Sequence, residues 1–285
     1  MNPSKRCGWL MWLFFAIGLF AGWQICHAQN STLNDKFTFY CKMDDDGVWT
    51  DEIGTNDLVE NSVNATTASG IVNLGFDSYV PTNQYYLYHA DAAEFSFGDV
   101  SMGIVCSLIF GSEFSDFPGV VTKDNVTSGN RNYGILWWKS TDTFSFYRGT
   151  TGTSIISADV VITPAPLGDT LIIIGWFNKD VDRVYLRIWD MNTEIGFDST
   201  DYVGTAYDSG VQIQFGRLAG SYNGDWILDE VGIFSSIPTT QEQNDYVAAM
   251  RNGDSFPLPD TTPQEEEPAT EVKRTFDTFD GFKTW

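Results

Sequence analysis

From Lys36 to Phe234 the chain is written in short apolar or alternating runs, each broken by Gly, Asn, Asp or Pro. Runs of that length suit strands, and about ten in series predict an all-β fold, a two-sheet antiparallel sandwich. The expected strands are Phe37–Met43, Ser69–Leu74, Gln84–His89, Glu94–Phe97, Ser101–Phe110, Asn132–Trp138, Thr143–Arg148, Leu171–Asn178, Arg183–Asp190, Val211–Gly216 and Asp225–Phe234. Lys139–Asp142 and Lys179–Asp182 read as the polar turns of two hairpins. No βαβ alternation argues for a parallel sheet, and no repeat at solenoid spacing is present. Aromatic residues at 15% and 26 glycines suit a β-rich fold with many turns.

One helix is expected after the strands. Thr239 and Glu242 have the spacing of a capping box, in which each side chain satisfies an orphan backbone N–H of the first turn. Tyr246, Val247 and Met250 fall on one face, and Gly253 can take the left-handed stop.

The two ends differ from this body. Lys5 and Arg6, an uncharged run from Trp9 to Trp23, and Cys26-His27-Ala28 read as a secretory signal peptide over residues 1–28. The alternative, an uncleaved anchor, meets a run shorter than the roughly 20 residues of a spanning helix. Residues 29–253 then form the domain. Residues 254–285 are an acidic, Pro-rich linker and a tail with Phe276, Phe279, Phe282 and Trp285 at every third position. The tail reads either as frayed or as a peptide that docks in a groove.

Charge narrows the partners. The chain has 16 basic and 38 acidic residues, and cleavage after Ala28 removes two of the basic ones, leaving a net charge of −24. Such a field repels nucleic acid and anionic lipid, attracts divalent cations and favours solubility. Cys41 and Cys106 remain after cleavage, either as a bridge in an oxidising compartment or as buried thiols. His27 and His89 are the only histidines, which leaves no triad and no zinc cluster. Asn-x-Ser/Thr occurs at 30–32, 64–66 and 125–127.

The most informative segment is Gly224-Asp225-Trp226-Ile227-Leu228-Asp229-Glu230-Val231-Gly232-Ile233-Phe234, a turn into an apolar strand with two adjacent carboxylates, followed by the capped helix. At the other end stand Phe39-Tyr40-Cys41-Lys42-Met43-Asp44, then Asp46-Gly47-Val48-Trp49-Thr50-Asp51 and Gly54-Thr55-Asn56-Asp57-Leu58. In this order the segments resemble the opening and closing signatures of the laminin-G-like (LamG-like), concanavalin A-like lectin and glucanase superfamily, over Lys36 to Gly253. The resemblance implies a jelly roll whose first and last strands meet. It also implies relatives that bind glycans or matrix proteins, many of them with calcium, and some fused to enzymes.

Three chemistries follow. Retaining glycoside hydrolysis needs two carboxylates about 5 Å apart. Asp229 and Glu230 are neighbours and point to opposite faces of a strand, while Asp225 and Asp229 share a face four residues apart. The glucanase spacing is therefore missing, and no catalytic residue is assigned. Calcium wants several oxygens. If the first and last strands are adjacent, Asp44, Asp46, Asp51, Asp229 and Glu230 could converge on a structural ion; otherwise the Asp run is a solvated turn and the closing acids bond to backbone N–H. Glycan binding needs exposed aromatic faces. Tyr133, Trp137 and Tyr147 are the platform candidates, with Trp49 and Tyr222 at the rim, each against core packing as the ordinary role of an aromatic ring.

The expectation is a secreted module, extracellular or periplasmic, that binds an extracellular glycan or surface protein without catalysis. The rivals are an interaction or structural domain without a sugar site, and a glycoside hydrolase with a displaced acid pair.

Overall fold

The computed structural model describes residues 31–255, apart from 45–46, 62–64, 81–82, 113–115, 126–128, 151–152 and 219–221. The signal-peptide reading, the tail from residue 256 onward and Asp46 lie outside the described residues. After a 3-10 turn over Ser31–Lys36 come β1 (Phe37–Cys41), β2 (Val59–Glu60), β3 (Thr66–Ser69), β4 (Leu74–Asp77), β5 (Tyr79–Val80), β6 (Asn83–Gln84) and β7 (Leu87–His89). The long strands follow: β8 (Met102–Phe110), β9 (Gly119–Asn125), β10 (Asn130–Trp138), β11 (Thr143–Gly149), β12 (Ile155–Val161), β13 (Thr170–Asn178), β14 (Arg183–Trp189) and β15 (Glu194–Asp201). The set closes with β16 (Ile213–Phe215), β17 (Arg217–Leu218), β18 (Tyr222–Asn223), β19 (Trp226–Phe234) and the helix α1 (Thr240–Asn252).

These strands form two large antiparallel sheets. The first has the order β15-β14-β13-β8-β19-β4-β3, with β1 also paired to β19. The second has the order β12-β11-β10-β9-β16-β7-β2. The expected jelly-roll sandwich is therefore present, and the two ends of the folded body meet: Phe39 lies opposite Ile233, Tyr40 opposite Gly232 and Cys41 opposite Val231. Both expected hairpins form. Each turns through one 3-10 turn, Lys139–Thr141 or Lys179–Val181, and then an Asp in the left-handed region, Asp142 at φ 49° or Asp182 at φ 46°. Aspartate tolerates that conformation better than most side chains.

The inner faces supply the main core. Ile104, Cys106, Leu108, Ile173, Leu186, Ile188 and Leu228 from one sheet meet Ile135, Trp137, Phe144, Phe146, Ile213 and Phe215 from the other. Each fully buried side chain of this size contributes roughly 1.5–3 kcal/mol. The first sheet is buried on both faces over β8, β13 and β19. Val105, Ile172, Ile174 and Phe234 point outward beneath Tyr246, Val247, Ala249 and Met250 of α1. That double burial is why these strands read as continuous apolar runs instead of alternating ones.

Three expectations fail at the level of elements. Ser69–Leu74 is not one strand: Ser69 ends β3, Leu74 begins β4, and Gly70–Asn73 is the turn between them. Its Val72 is apolar because it packs beneath the helix cluster, which imitates a strand pattern. Glu94–Phe97 contains a 3-10 turn, Ala93–Phe95, that buries Phe95. The long strands β9, β12 and β15 and the short strands β2, β3, β4, β5, β17 and β18 are additional to the expected set; β15 is polar and lies at the sheet margin. Cys41 and Cys106 are both buried and free, which selects the thiol alternative.

At one side of the sandwich the marginal strands β12 and β15 draw together. The Asp159 N–H donates to Asp198 Oδ2 at 2.8 Å, and a Cβ on Gly196 would come within 2.1 Å of Val160 Cγ1. A tighter approach occurs at Gly149, where a Cβ would lie 1.7 Å from the Arg131 carbonyl oxygen. Backbone cannot yield there, so Gly149→Ala is expected to destabilise by about 2–3 kcal/mol and to lower the melting temperature by about 5–10 °C. Gly98→Ala, whose Cβ would meet nothing within 4 Å, should leave the midpoint unchanged. Equal melting of the two variants would contradict this packing.

Candidate functional site

The four aromatic platform candidates are all interior. Tyr133 is fully buried and its hydroxyl donates to the Phe95 carbonyl at 2.9 Å. Trp137 is fully buried against Phe110 and Phe144. Trp49 packs edge-on to Phe76, and its indole N–H donates to Glu60 Oε1 at 3.0 Å. Tyr147 donates to Asp124 Oδ2 at 2.7 Å beneath the Arg131 guanidinium. Protein covers these rings, so none of the four can stack on a sugar in this arrangement. Strand parity was correctly expected to split Trp137 from Trp138, but the more open member is Trp138, which donates to Ser145 Oγ at 2.8 Å. The side chain of Tyr222 lies outside the described ones.

The acids are brought to the same end of the fold and are then used by the protein itself. Asp51 Oδ1 accepts from the Tyr40 and Ile53 N–H groups, and its Oδ2 accepts from the Asn56 N–H, all at 3.2 Å. Asp44 Oδ1 accepts from the Leu74 N–H at 3.3 Å. Asp229 Oδ2 accepts from the Ile71 and Val72 N–H groups at 2.7 Å each. Glu230 Oε2 accepts from the Tyr40 hydroxyl, Oε1 from Ser255 at 2.8 Å, and its carbonyl from the Tyr246 hydroxyl at 2.6 Å. Glu230 sits at φ 50° in a bulge where β19 slips its register against β8 between Asp229 and Gly232. Such a backbone costs about 1–3 kcal/mol and persists only where the surroundings hold it.

A hard cation needs six to eight oxygens. In this set Asp229 Oδ1 is the one buried oxygen without a partner. Among the described residues no group of three or more His, Cys, Asp or Glu is placed to hold a metal ion. The described side chains therefore do not make a calcium cage as they stand. Asp225, the third closing acid, accepts from the Ser112 N–H and hydroxyl at 2.8 and 2.7 Å and joins no acid pair.

A groove open to solvent lies where α1 stops covering the first sheet. Trp176 on β13 is directly opposite Tyr185 on β14, and their rings stack at 4.8 Å with planes 5° apart. Phe197 on β15 continues the row, 6.4 Å from Tyr185. Phe197 is 54% exposed, whereas Trp176 is 7% exposed. Opposite Phe197 stands Arg187, whose guanidinium carbon lies 4.9 Å from the Trp189 centroid and 5.7 Å from that of Phe197. Arg187 donates to Gln243 Oε1 at 3.0 Å and to Glu194 Oε2 at 2.5 Å, while its Nε finds no partner. Trp176, Arg187, Glu194, Phe197, Thr240 and Gln243 enclose a groove of about 210 Å³.

The helix end at this groove is firmly set. Thr239 and Glu242 form the expected capping box. Lys36 binds Glu242 at 2.6 Å and the Ile237 carbonyl at 3.1 Å, and Gln243 Nε2 donates to the Pro238 carbonyl at 3.1 Å. The groove escaped the sequence reading because strand alternation names the faces of β13 and β14 without saying which part the helix leaves open. The available signal was Trp176, Tyr185 and Arg187 at alternate positions of an expected hairpin.

No protein-family model and no curated protein sequence matches the chain. Solved structures match its fold. The binding domain of Paraclostridial Mosquitocidal Protein 1 superposes with a TM-score of 0.58 at 13% identity, over 75% of this chain and 52% of that one. The botulinum neurotoxin serotype D ligand binding domain, in complex with N-acetylneuraminic acid, gives 0.57 at 8%, over 76% and 51%. The binding domain of botulinum neurotoxin DC, in complex with rat synaptotagmin II, gives 0.55 at 10%, over 76% and 52%. At such identities the likeness is one of fold, and this chain spans about half the length of those domains.

Asp229 makes the acid cluster measurable. Burial raises its pKa to about 8, with Glu230 and Asp44 adding to the rise and the Val72 and Ile71 N–H groups opposing it. An unfolded Asp titrates near 3.9. Between about pH 4 and pH 8 the folded form therefore holds a proton that the unfolded form has lost, and stability falls as pH rises through that window. Urea midpoints should drop from pH 5 to pH 8 in the parent protein and drop less in Asp229→Asn. Parallel pH profiles for the two proteins would rule this out.

Proposed function

We propose that the chain is a non-catalytic recognition module that binds an extracellular glycan or surface protein through the groove beside Phe197. The observation that carries the reading is a half-exposed aromatic ring, continuous with a parallel Trp176–Tyr185 stack and rimmed by Arg187, Glu194 and Gln243. Ligand sites combine an apolar wall with a few convergent polar groups, and this groove does so. The fold is that of binding domains whose complexes hold a sialic acid in one case and a protein in another. The acids Asp225, Asp229 and Glu230 are each hydrogen-bonded within the fold and do not face one another across an open site, which speaks against hydrolysis.

The finer kinship with LamG-like jelly rolls is supported by the zipping of β1 to β19 and by the capped helix that follows the Asp229-Glu230 strand. Secretion is supported by the basic start, apolar run and small residue that precede Gln29. No helix among the described residues is long and apolar enough to cross a membrane.

Residues 29–285 are expected to bind a subset of a glycan array or intact cell surfaces, and Phe197→Ala should reduce that signal about tenfold without shifting the melting temperature. Binding that is unchanged in Phe197→Ala would remove the groove from the proposal. Release of reducing sugar from β-glucans would replace the whole reading by hydrolysis.

Calcium carries its own test. Among the described residues, Asp44 borders a cavity of about 190 Å³ together with Lys42, Trp49 and Glu52, and this is the place proposed for it. An ion bound only by the folded form must raise the melting temperature. With every described oxygen of the set except Asp229 Oδ1 hydrogen-bonded within the fold, the midpoints in millimolar calcium and in chelator are expected to coincide. A rise with calcium would restore the structural ion.

A further inference from the structure

We infer that the groove beside Phe197 takes a single neutral pyranose ring and discriminates against both sugar acids and cationic headgroups. This rests on the groove being the ligand site and adds the class of ligand.

Size sets the first limit. The groove holds about 210 Å³, below the roughly 300–1,000 Å³ of pockets for drug-sized ligands. One six-membered ring fills it, and the rest of any longer chain would lie outside the groove.

Charge sets the other two. A ligand cation would seek the face of Phe197, since an aromatic face attracts positive charge. Arg187 already stands by that ring, its guanidinium carbon 5.7 Å from the centroid. An incoming ammonium would meet a like charge there. A ligand anion would seek Arg187, but Glu194 already holds it at 2.5 Å. Beyond Glu194 the same strand carries Asp198 and Asp201, in a chain of formal charge −22. A carboxylate would have to displace Glu194 against that field.

What remains is a neutral molecule with an apolar face and polar edges. A pyranose presents axial C–H groups that pack on an aromatic ring, and Phe197 offers such a ring, 54% exposed. Its equatorial hydroxyls both donate and accept. Glu194 and Gln243 can accept from them, and Thr240 can donate or accept. Each polar group keeps a partner when the ligand enters, so little is left unsatisfied.

The test is calorimetry and saturation-transfer NMR on residues 29–285. The probes are the methyl glycosides of glucose, galactose and mannose, N-acetylglucosamine, glucuronate, N-acetylneuraminic acid and choline. At least one neutral glycoside is expected to bind, with its uronate at least about tenfold weaker and choline silent. Phe197→Ala should weaken the neutral ligand by about tenfold, with an unchanged melting temperature showing that the fold is intact. Glu194→Gln should narrow the gap between glucoside and glucuronate.

The sugar acid or choline binding more tightly than every neutral glycoside, and lost in Phe197→Ala, would overturn the class and leave the groove standing. Neutral binding that survives Phe197→Ala undiminished would overturn the groove itself. Absence of binding by every neutral glycoside at tens of millimolar would also overturn the class, while array or cell binding that still depends on Phe197 would keep the groove as a recognition site for another ligand.

Discussion

The fold depends on how β19 is held. This strand pairs with β8 along its length, with β4 at its start and with β1 at its end, so it ties together segments nearly two hundred residues apart. At the crossing of these pairings the strand carries Asp229 and Glu230, both fully buried. Ordinary strand geometry would send two adjacent side chains to opposite faces and leave one without support. The bulge at Glu230 resolves this by turning each acid to a different set of donors. Asp229 takes the backbone of the β3–β4 turn, and Glu230 takes the hydroxyls of Tyr40 and Ser255. The bulge therefore joins opening strand, closing strand and helix in one cluster. Removing one partner would leave a buried acid unmatched, which is far costlier than the gain from any one bond.

From that cluster the position of α1 follows, and from α1 the position of the groove. Tyr246 anchors the middle of the helix to the Glu230 carbonyl, and Lys36 holds its first turn. A 13-residue helix spans about 20 Å. It covers the outward side chains of β8, β19 and part of β13, and its first turn ends at Thr240 and Gln243. Beyond that point the outer face of β13–β15 is built from aromatic rings and Arg187 instead of aliphatic residues. The groove is thus the uncovered remainder of a face whose other part belongs to the core.

Much of this architecture was legible in the residues and some was not. The two long hairpins were readable because a Lys-x-x-Asp turn separates apolar runs of matching length, and the helix was readable from Thr239, Glu242 and Gly253. The zipping of the two ends was implied by the family resemblance that the segments Phe39–Asp44 and Leu228–Phe234 carry. The turn at Gly70–Asn73 was misread because Ile71 and Val72 are apolar for a tertiary reason, packing near the helix, and periodicity has no access to that. The aromatic candidates failed for a related reason. Alternation shows that Trp137 and Trp138 part company, yet only the placement of the second sheet decides which one goes inside. Asp51 and Asp229 bond to backbone N–H groups of turns and Glu230 to the hydroxyls of Tyr40 and Ser255, partners that no spacing rule displays.

The meeting of β12 with β15 also bears on how the protein behaves in a crowded sample. Sheet margins expose unpaired backbone groups that can recruit strands from neighbouring molecules and seed fibrils. Here one such amide, on Asp159, is taken up by the Asp198 carboxylate across the seam, and Gly196 lets Val160 settle against the opposite margin. The carboxylates along Glu194–Asp201 leave a charged border that a second copy would have to approach against like charge. This flank is consequently a poor template for strand addition, and copies of the domain packed densely together are protected there from growing into one another.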